Sequence, residues 1–309
     1  MSLHVVAGRG ATGSATALLL AEAGEEVRLV SRGGGGPEHP SIERIAADVT
    51  DADGLTDIVK GAATLFGCAA PAYHLWPAEF PPLHAALLTA AERTGAGYVM
   101  LGNLYGYGPG HELITEDSPL NAAGPKGRTR ARMWEEALAA HEAGRVRVTE
   151  VRAGQFVGPG AASVFTLMVQ PRVLAGELAL VAGHVDTPHP YSSIADVARA
   201  LVAVSRDERA WGRAWHAPMN EISVRDLAVR LAVLAGAPEP RVEQMSDREL
   251  ALLGLTAPIW AELEETLYMS DESFRVDSTR SGRTFSLAPT PVEETLRRTL
   301  AELEARRPV

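Results

Sequence analysis

Six residues near the start of the chain, Gly8-Arg9-Gly10-Ala11-Thr12-Gly13, constrain its fold more than any others. A lone G-x-G-x-x-G carries little information, but this one follows a short apolar run, Leu3–Ala7, and precedes an Ala- and Leu-rich stretch at 15–23 that Gly24 closes. A strand, a tight turn and a helix in that order make the pattern credible. Gly8 permits the turn, Gly10 leaves room for a pyrophosphate against the backbone, and Gly13 lets helix and strand pack closely. The helix then presents free N–H groups to the phosphates, with Ala11 and Thr12 in its first turn.

The alternation continues. Strands are expected at 27–30, 42–47, 64–70, 97–101 and 146–151, and helices at 83–94 and 129–143, with a flexible loop at Gly33 to Gly36 and Pro37. Strands that alternate with helices imply a parallel sheet covered on both faces. The expected fold class is therefore α/β, a doubly wound parallel sheet of the Rossmann type. Residues 1–160 form the dinucleotide-binding domain. After Gly160 the rhythm changes to helices at 195–204 and 224–234 among proline-rich and polar loops, and a last helix is announced by Thr290-Pro291-Val292-Glu293, which has the form of a capping box. Residues 161–309 are expected to be mostly a smaller substrate lobe, with segments that return to the main domain.

Composition narrows the function classes. A formal net charge of -10 argues against a general nucleic-acid or anionic-membrane partner, since both require a positive surface. No apolar run approaches the roughly 18 residues of a membrane span, and no basic segment precedes an apolar stretch at the N-terminus, so a cytoplasmic protein is expected. The single cysteine, Cys68, excludes an internal disulfide and a Cys-based zinc site. His184, Asp186 and His189 lack a recognised metal spacing, so no metal is expected, and there is no G-x-S-x-G nucleophile elbow. The expected partner is a small-molecule substrate, with a homodimer left open.

The end of the second strand bears on the choice of dinucleotide. An NAD binder commonly places Asp or Glu there to hold the ribose hydroxyls. This chain has Val30-Ser31-Arg32. Arg32 can pair with a 2′-phosphate and Ser31 can donate to it, and Arg9 inside the turn is a second cation. NADP(H) is expected in preference to NAD(H), which remains possible.

These residues resemble the extended short-chain dehydrogenase/reductase superfamily, in its NAD(P)-dependent epimerase/dehydratase branch. Beyond the glycine turn, Asp48-Val49 resembles the acidic site after the third strand that contacts the adenine. Cys68-Ala69-Ala70-Pro71 resembles the loop along the cofactor. Leu104-Tyr105-Gly106-Tyr107-Gly108-Pro109 and Thr115-Glu116-Asp117-Ser118-Pro119 resemble the family's V-Y-G and T-E-x-x-P segments. Arg152 with Gly158-Pro159-Gly160, and the stretch 191–198 with Asp196, resemble later family segments. The resemblance implies that Ala69, Ala70, Pro71 and Gly102 lie along the cofactor.

The family's catalytic signature is a Ser or Thr after the fifth strand, then Tyr-x-x-x-Lys on the next helix. Here Gly102-Asn103 stand where the Ser/Thr pair would be, and the helix opens Pro125-Lys126-Gly127-Arg128-Thr129-Arg130-Ala131-Arg132, without tyrosine. Four cations at a helix N-terminus oppose the macrodipole. Lys126 and Arg130 share one face and Arg128 and Arg132 another, so one pair is expected to face the cofactor or a substrate anion and the other the solvent. Tyr107 is the expected proton donor, with Lys126 or Arg130 supplying positive charge and Asn103 polarising a carbonyl. Tyr105 is an alternative donor, and Tyr73, His74 and Trp76 are candidate pocket residues. The expected function is an NADP(H)-dependent oxidoreductase of the epimerase/dehydratase type acting on a carbonyl or alcohol. The alternative is a non-catalytic dinucleotide-binding redox sensor.

Overall fold

The structure, a computed structural model, describes residues 1–271 and 274–306. The chain opens with β1 (Leu3–Ala7), α1 (Ala11–Glu22), β2 (Glu26–Ser31), β3 (Ile42–Ala46), α2 (Ala52–Val59) and β4 (Thr64–Gly67). It continues with α3 (Trp76–Thr94), β5 (Gly97–Asn103), α4 (Pro125–Glu142), β6 (Val148–Ala153) and β7 (Gln155–Val157). Then come α5 (Gln170–Leu174), β8 (Leu178–Val181), β9 (His189–Ser193), α6 (Ile194–Ser205), β10 (Ala214–His216), β11 (Asn220–Ile222), α7 (Val224–Ala235) and β12 (Arg241–Gln244). The last elements are α8 (Asp247–Gly254), α9 (Pro258–Ala261), α10 (Tyr268–Asp271), α11 (Thr279–Phe285) and α12 (Val292–Ala305).

Among the described residues the main sheet has seven strands in the order β10-β6-β5-β4-β1-β2-β3, and every neighbouring pair is parallel. Period-two alternation divides the core. Val5, Leu65, Tyr98 and Met100 face the layer of α2, α3 and α4, where Leu55, Leu83, Leu87 and Met133 meet them. Val6, Phe66, Val99 and Val151 face the other layer, with Ala17, Leu20, Val197 and Leu201 of α1 and α6. Both faces are buried, which is why these strands read as nearly continuous apolar runs. Strand order reverses between β1 and β4, so a crevice opens at their carboxyl ends, the usual ligand position in such sheets.

The later chain is not a separate layer. α6 packs on α1, and β10 pairs with β6 as the edge of the main sheet. The remaining strands form a three-stranded sheet, β11-β9-β7, and a two-stranded one, β12-β8, over a third core that includes Phe165, Val173, Tyr191 and Leu227. Among the described residues no helix is long and apolar enough to cross a membrane.

Three local expectations are corrected. Helix α3 begins seven residues before 83, with Pro81 and Pro82 inside it. α2 is absent from the sequence reading because Gly54 interrupts its first turn, yet Asp51 caps it by accepting from the amides of Asp53 and Gly54. Thr290 does not cap the last helix. Pro291 is its N-cap, and the Thr290 amide and hydroxyl both bond to the buried Asp196 carboxylate, at 2.8 and 2.6 Å.

The glycine turn is drawn tight by the chain itself at two of its three glycines. Gly8 has φ +109°, and a Cβ there would lie 2.5 Å from the Ala69 nitrogen. A Cβ at Gly13 would lie 1.9 Å from the Gly8 carbonyl oxygen. Gly10 is different, because a Cβ there would meet no heavy atom within 4 Å. Gly13→Ala should therefore destabilise the fold by about 1–3 kcal/mol or more, as overpacking against backbone does, whereas Gly10→Ala should stay within about 1 kcal/mol. Urea unfolding of the two variants checks the contrast, and equal losses would refute it.

Candidate active site

The crevice begins at the N-terminus of α1. Gly10 is the N-cap, no side chain caps the helix, and its first turn has no acidic residue, so the leading amides are unclaimed by side chains. The loop after β4 closes one side, with the Cys68 amide bonded to the Ala7 carbonyl at 2.8 Å and Ala69 against Gly8. Gly158-Pro159-Gly160 closes the other, since a Cβ at Gly160 would lie 3.2 Å from that of Ala11. Glu302 of α12 holds this segment by accepting from the Gly160 amide at 2.9 Å. Of the expected cofactor residues, Gly8, Gly10, Ala11, Thr12, Gly13 and Ala69 are thereby gathered at one place.

At the end of β2 the Arg9 guanidinium folds over the glycine loop, near enough that a Cβ on Gly35 would lie 2.7 Å from its Nη1 and one on Gly33 3.7 Å from its Nη2. The glycine run makes room for this arginine. Among the described residues Arg9 and Arg32 form no ion pair within 4 Å, and the buried Ser31 Oγ has no hydrogen-bond partner. Asp48 turns onto Thr50, accepting from its amide and hydroxyl. Those bonds hold its carboxyl below the usual range, and the Arg32 charge adds to the effect. The Val49 side chain packs in the core.

The expected catalytic cations lie on α4. Lys126 is wholly buried and Arg130 is 6% exposed, while Arg128 and Arg132 face solvent, which divides the four cations as the helical spacing predicts. Lys126 ion-pairs with Glu262 and, at 2.6 Å, with Glu265. Glu265 also accepts from the Lys126 and Gly127 amides at 2.7 and 3.2 Å, so a carboxylate from the segment between α9 and α10 caps α4. The Lys126 ammonium lies 5.0 Å from the Tyr73 ring centre. Tyr73 donates to the Tyr105 hydroxyl at 3.2 Å, and Trp76 sits edge-on to Tyr73, their ring centres 5.0 Å apart. His74 is exposed. Asn103 Oδ1 accepts from the Tyr105 amide at 3.2 Å.

Tyr107 lies apart from this group. It is fully buried, and its hydroxyl accepts from Arg152 at 2.7 Å and contacts His216 Nε2 at 2.8 Å. His216 Nδ1 lies 2.7 Å from the Asp277 carbonyl. A carbonyl only accepts, so Nδ1 carries the ring hydrogen and Nε2 accepts from Tyr107. The Tyr107 proton is thus committed to His216, and burial pushes its pKa up to about 12. The Tyr105 hydroxyl accepts from Tyr73 and keeps its own hydrogen free. Burial raises its pKa, and the Tyr73 bond and then the Lys126 charge oppose that rise. Gly102 also has a different task from the one expected. A Cβ there would lie 2.5 Å from Glu150 Oε1, so the glycine admits a buried carboxylate that pairs with Arg152 at 2.7 Å and Arg130 at 3.5 Å.

Glu262, Glu265 and Glu150 were invisible to sequence reasoning, because nothing local announces a carboxylate that answers a cation more than a hundred residues away or across a strand pair. A readable signal did exist on α4. Lys126 and Arg130 are four residues apart, the spacing of the tyrosine and lysine in the Tyr-x-x-x-Lys signature.

A parallel sheet with a glycine-lined crevice at its switch point defines a Rossmann-type nucleotide-binding protein. The chain belongs to the NAD dependent epimerase/dehydratase family, whose family model matches residues 4–215. No curated protein sequence matches it. Among solved structures it is similar to UDP-glucose 4-epimerase from Thermotoga maritima bound to UDP-glucose, with 18% identity, TM-score 0.79, and 98% and 99% of the two chains covered. It is also similar to UDP-glucuronic acid 4-epimerase from Bacillus cereus in complex with UDP-glucuronic acid and NAD, with 15% identity, TM-score 0.78, and 99% and 100% covered. A third is dTDP-glucose 4,6-dehydratase from Bacillus anthracis in complex with NAD, with 15% identity, TM-score 0.78, and 99% and 98% covered. At these identities the likeness is one of fold.

Two outcomes follow from the buried charges. Lys126→Met leaves Glu262 and Glu265 without their cation and should cost about 3 kcal/mol. Adding Glu262→Gln and Glu265→Gln should restore most of that loss in thermal unfolding, and a triple variant no better than the single one would show that the ion pair is incidental.

The second outcome concerns pH. His84 and His216 are each held at about 4, chiefly by burial, with a nearby arginine lowering each further. The unperturbed imidazole value is 6.5. Because both folded values lie below the unfolded one, the stability they contribute is complete above about pH 6.5 and is lost as pH falls toward 4. Each ring accounts for roughly 3 kcal/mol. The urea midpoint should fall steadily from pH 7 to 5, and a flat profile would show that these rings are not buried in the neutral form.

Proposed function

We propose that the chain is an NADP(H)-dependent oxidoreductase of the epimerase/dehydratase type that acts on a carbonyl or alcohol of a small molecule. The observation that carries the reading is the pair of arginines and the buried, unpartnered hydroxyl at the ribose end of the crevice. The Arg9 guanidinium has a glycine loop cleared for it, Arg32 follows β2 directly and its charge reaches Asp48, and the Ser31 hydroxyl is buried without a partner. That set suits a phosphate dianion and leaves the ribose without the carboxylate an NAD binder commonly supplies. The fit at the pyrophosphate is equally specific. No group of the chain needs a glycine at position 10, whereas a pyrophosphate on the uncapped α1 amides does.

In this reading Gly8 to Gly13 bind the phosphates, Ala69, Ala70 and Pro71 lie along the cofactor, and Asp48 reaches the adenosine. A bound nicotinamide dinucleotide supplies hydride transfer. Tyr105 holds the proton that the substrate oxygen needs, oriented by Tyr73, with Arg130 supplying positive field, the Lys126 charge being answered by Glu262 and Glu265, and the Asn103 side-chain N–H available to a carbonyl. The sugar nucleotides named in the similar structures make nucleotide sugars the first substrates to try. A redox-sensor reading is favoured by one feature, that the residue at the tyrosine spacing is a lysine held by two carboxylates.

Calorimetry and turnover separate the two readings. NADPH should bind at least about tenfold more tightly than NADH, a difference of roughly 1.4 kcal/mol, and Arg9→Ala or Arg32→Ala should remove most of it. Equal wild-type affinities would overturn the NADP(H) preference. Tyr105→Phe should lower turnover by about 10²- to 10⁴-fold with NADPH affinity unchanged, while Tyr107→Phe should act through stability. A protein that binds NADPH yet turns over nothing on a panel of aldehydes, ketones and nucleotide sugars would support the sensor instead.

A further inference from the structure

Between α3, α4 and the ends of β4 and β5 lies a cavity lined by Gly67, Phe80, His84, Tyr98, Arg130 and Met133 among others. A water-sized sphere can occupy about 10 Å³ of it, close to what a single water needs. Its polar lining is unusual. His84 is fully buried, and neither of its ring nitrogens has a hydrogen-bond partner among the described residues. Arg130 is 94% buried by the same measure, and its Nε also has no partner. Nη2 of that guanidinium is committed, donating to the Leu101 carbonyl at 2.5 Å and pairing with Glu150 at 3.5 Å.

We propose that His84 and Arg130 together bind one resident water, and that His84 is thereby a positioning residue for Arg130. The complementarity is complete in kind. Arg130 Nε–H donates and cannot accept, whereas a neutral imidazole has one bare nitrogen that accepts and one N–H that donates. A water takes the Nε–H bond with a lone pair and gives a hydrogen to the bare ring nitrogen, which satisfies Arg130 Nε and one of the two ring nitrogens, atoms that are costly to bury dry. It also ties α3 to α4. With Nη2 on the end of β5 and Nε on the water, the guanidinium is fixed in plane and direction, and its charge acts on Tyr105 from a set position. The inference concerns the chain alone and stands whichever reaction the protein performs.

A high-resolution crystal structure of the wild-type protein should show an ordered water within hydrogen-bonding distance of both His84 and Arg130 Nε. A cavity without that density overturns the proposal. His84→Leu removes the ring nitrogens. If the cavity is hydrated, this variant strands Nε, lowers the Tm, and speeds exchange of the Arg130 Nε–H, followed by NMR, by about tenfold or more. His84→Gln keeps a donor and an acceptor at the site and should return both readouts toward wild type. In a dry cavity the opposite sign holds: His84→Leu relieves two stranded atoms and raises the Tm. A raised Tm, or an exchange rate that His84→Leu leaves unchanged, refutes the water and the positioning role together.

Discussion

The Glu150 carboxylate, buried between Arg130 and Arg152, is the interaction on which the carboxyl edge of the sheet depends. It occupies the space that Gly102 leaves on the neighbouring strand, and it answers one arginine on its own strand and one from α4. Arg152 passes the constraint on to Tyr107, Tyr107 to His216 on the edge strand β10, and His216 to the Asp277 backbone. One polar chain therefore links α4, β5, β6, β10 and the segment before α11. Losing one member of such a set costs about 3–5 kcal/mol, because the partners remain buried and unpaired. Two arginines to one carboxylate also leave a surplus positive charge where an anionic dinucleotide would approach.

That chain explains why neighbouring tyrosines differ. Tyr105 and Tyr107 belong to the same turn, but one hydroxyl is enclosed by a cation and an acceptor, and the other receives a bond from Tyr73 and keeps its hydrogen. Sequence position alone does not separate them, since both rings lie on the loop after β5. Only the three-dimensional partners, Arg152 and His216 for one and Tyr73 and Lys126 for the other, separate a structural hydroxyl from one available for chemistry.

The local code was legible wherever the chain's own backbone enforces it. β1, the glycine turn and α1 follow from steric demands within a dozen residues, and the alternating apolar runs of β2 to β6 follow from a sheet buried on both faces. The division of the α4 cations into an inner and an outer pair follows from helical geometry. What stayed hidden depends on long-range partners. Thr290 reads as a helix cap, but its hydroxyl donates to the buried Asp196 carboxylate and accepts from Arg199, partners distant in sequence. Gly102 reads as a cofactor contact but makes room for Glu150. Pro81 and Pro82 lie inside α3, where Phe80, Leu83 and Leu87 bury the helix face against the sheet and carry the helix through them.

The absence of tyrosine from the start of α4 is the deepest departure from the family signature, and the lysine there has a consistent physical setting. An ammonium taken wholly out of water must be paired, and the chain supplies Glu262 and Glu265 from its distant C-terminal part. The pairing makes that segment the roof of the site, since Glu265 caps α4 and holds Lys126 at once. A tyrosine at position 126 would offer no charge for those carboxylates, and one of them would be left to face the other. The lysine and the two glutamates are thus one device rather than three substitutions. On the proposed reading the proton given to a substrate comes from Tyr105, which accepts a hydrogen bond from Tyr73, and not from a tyrosine on the helix.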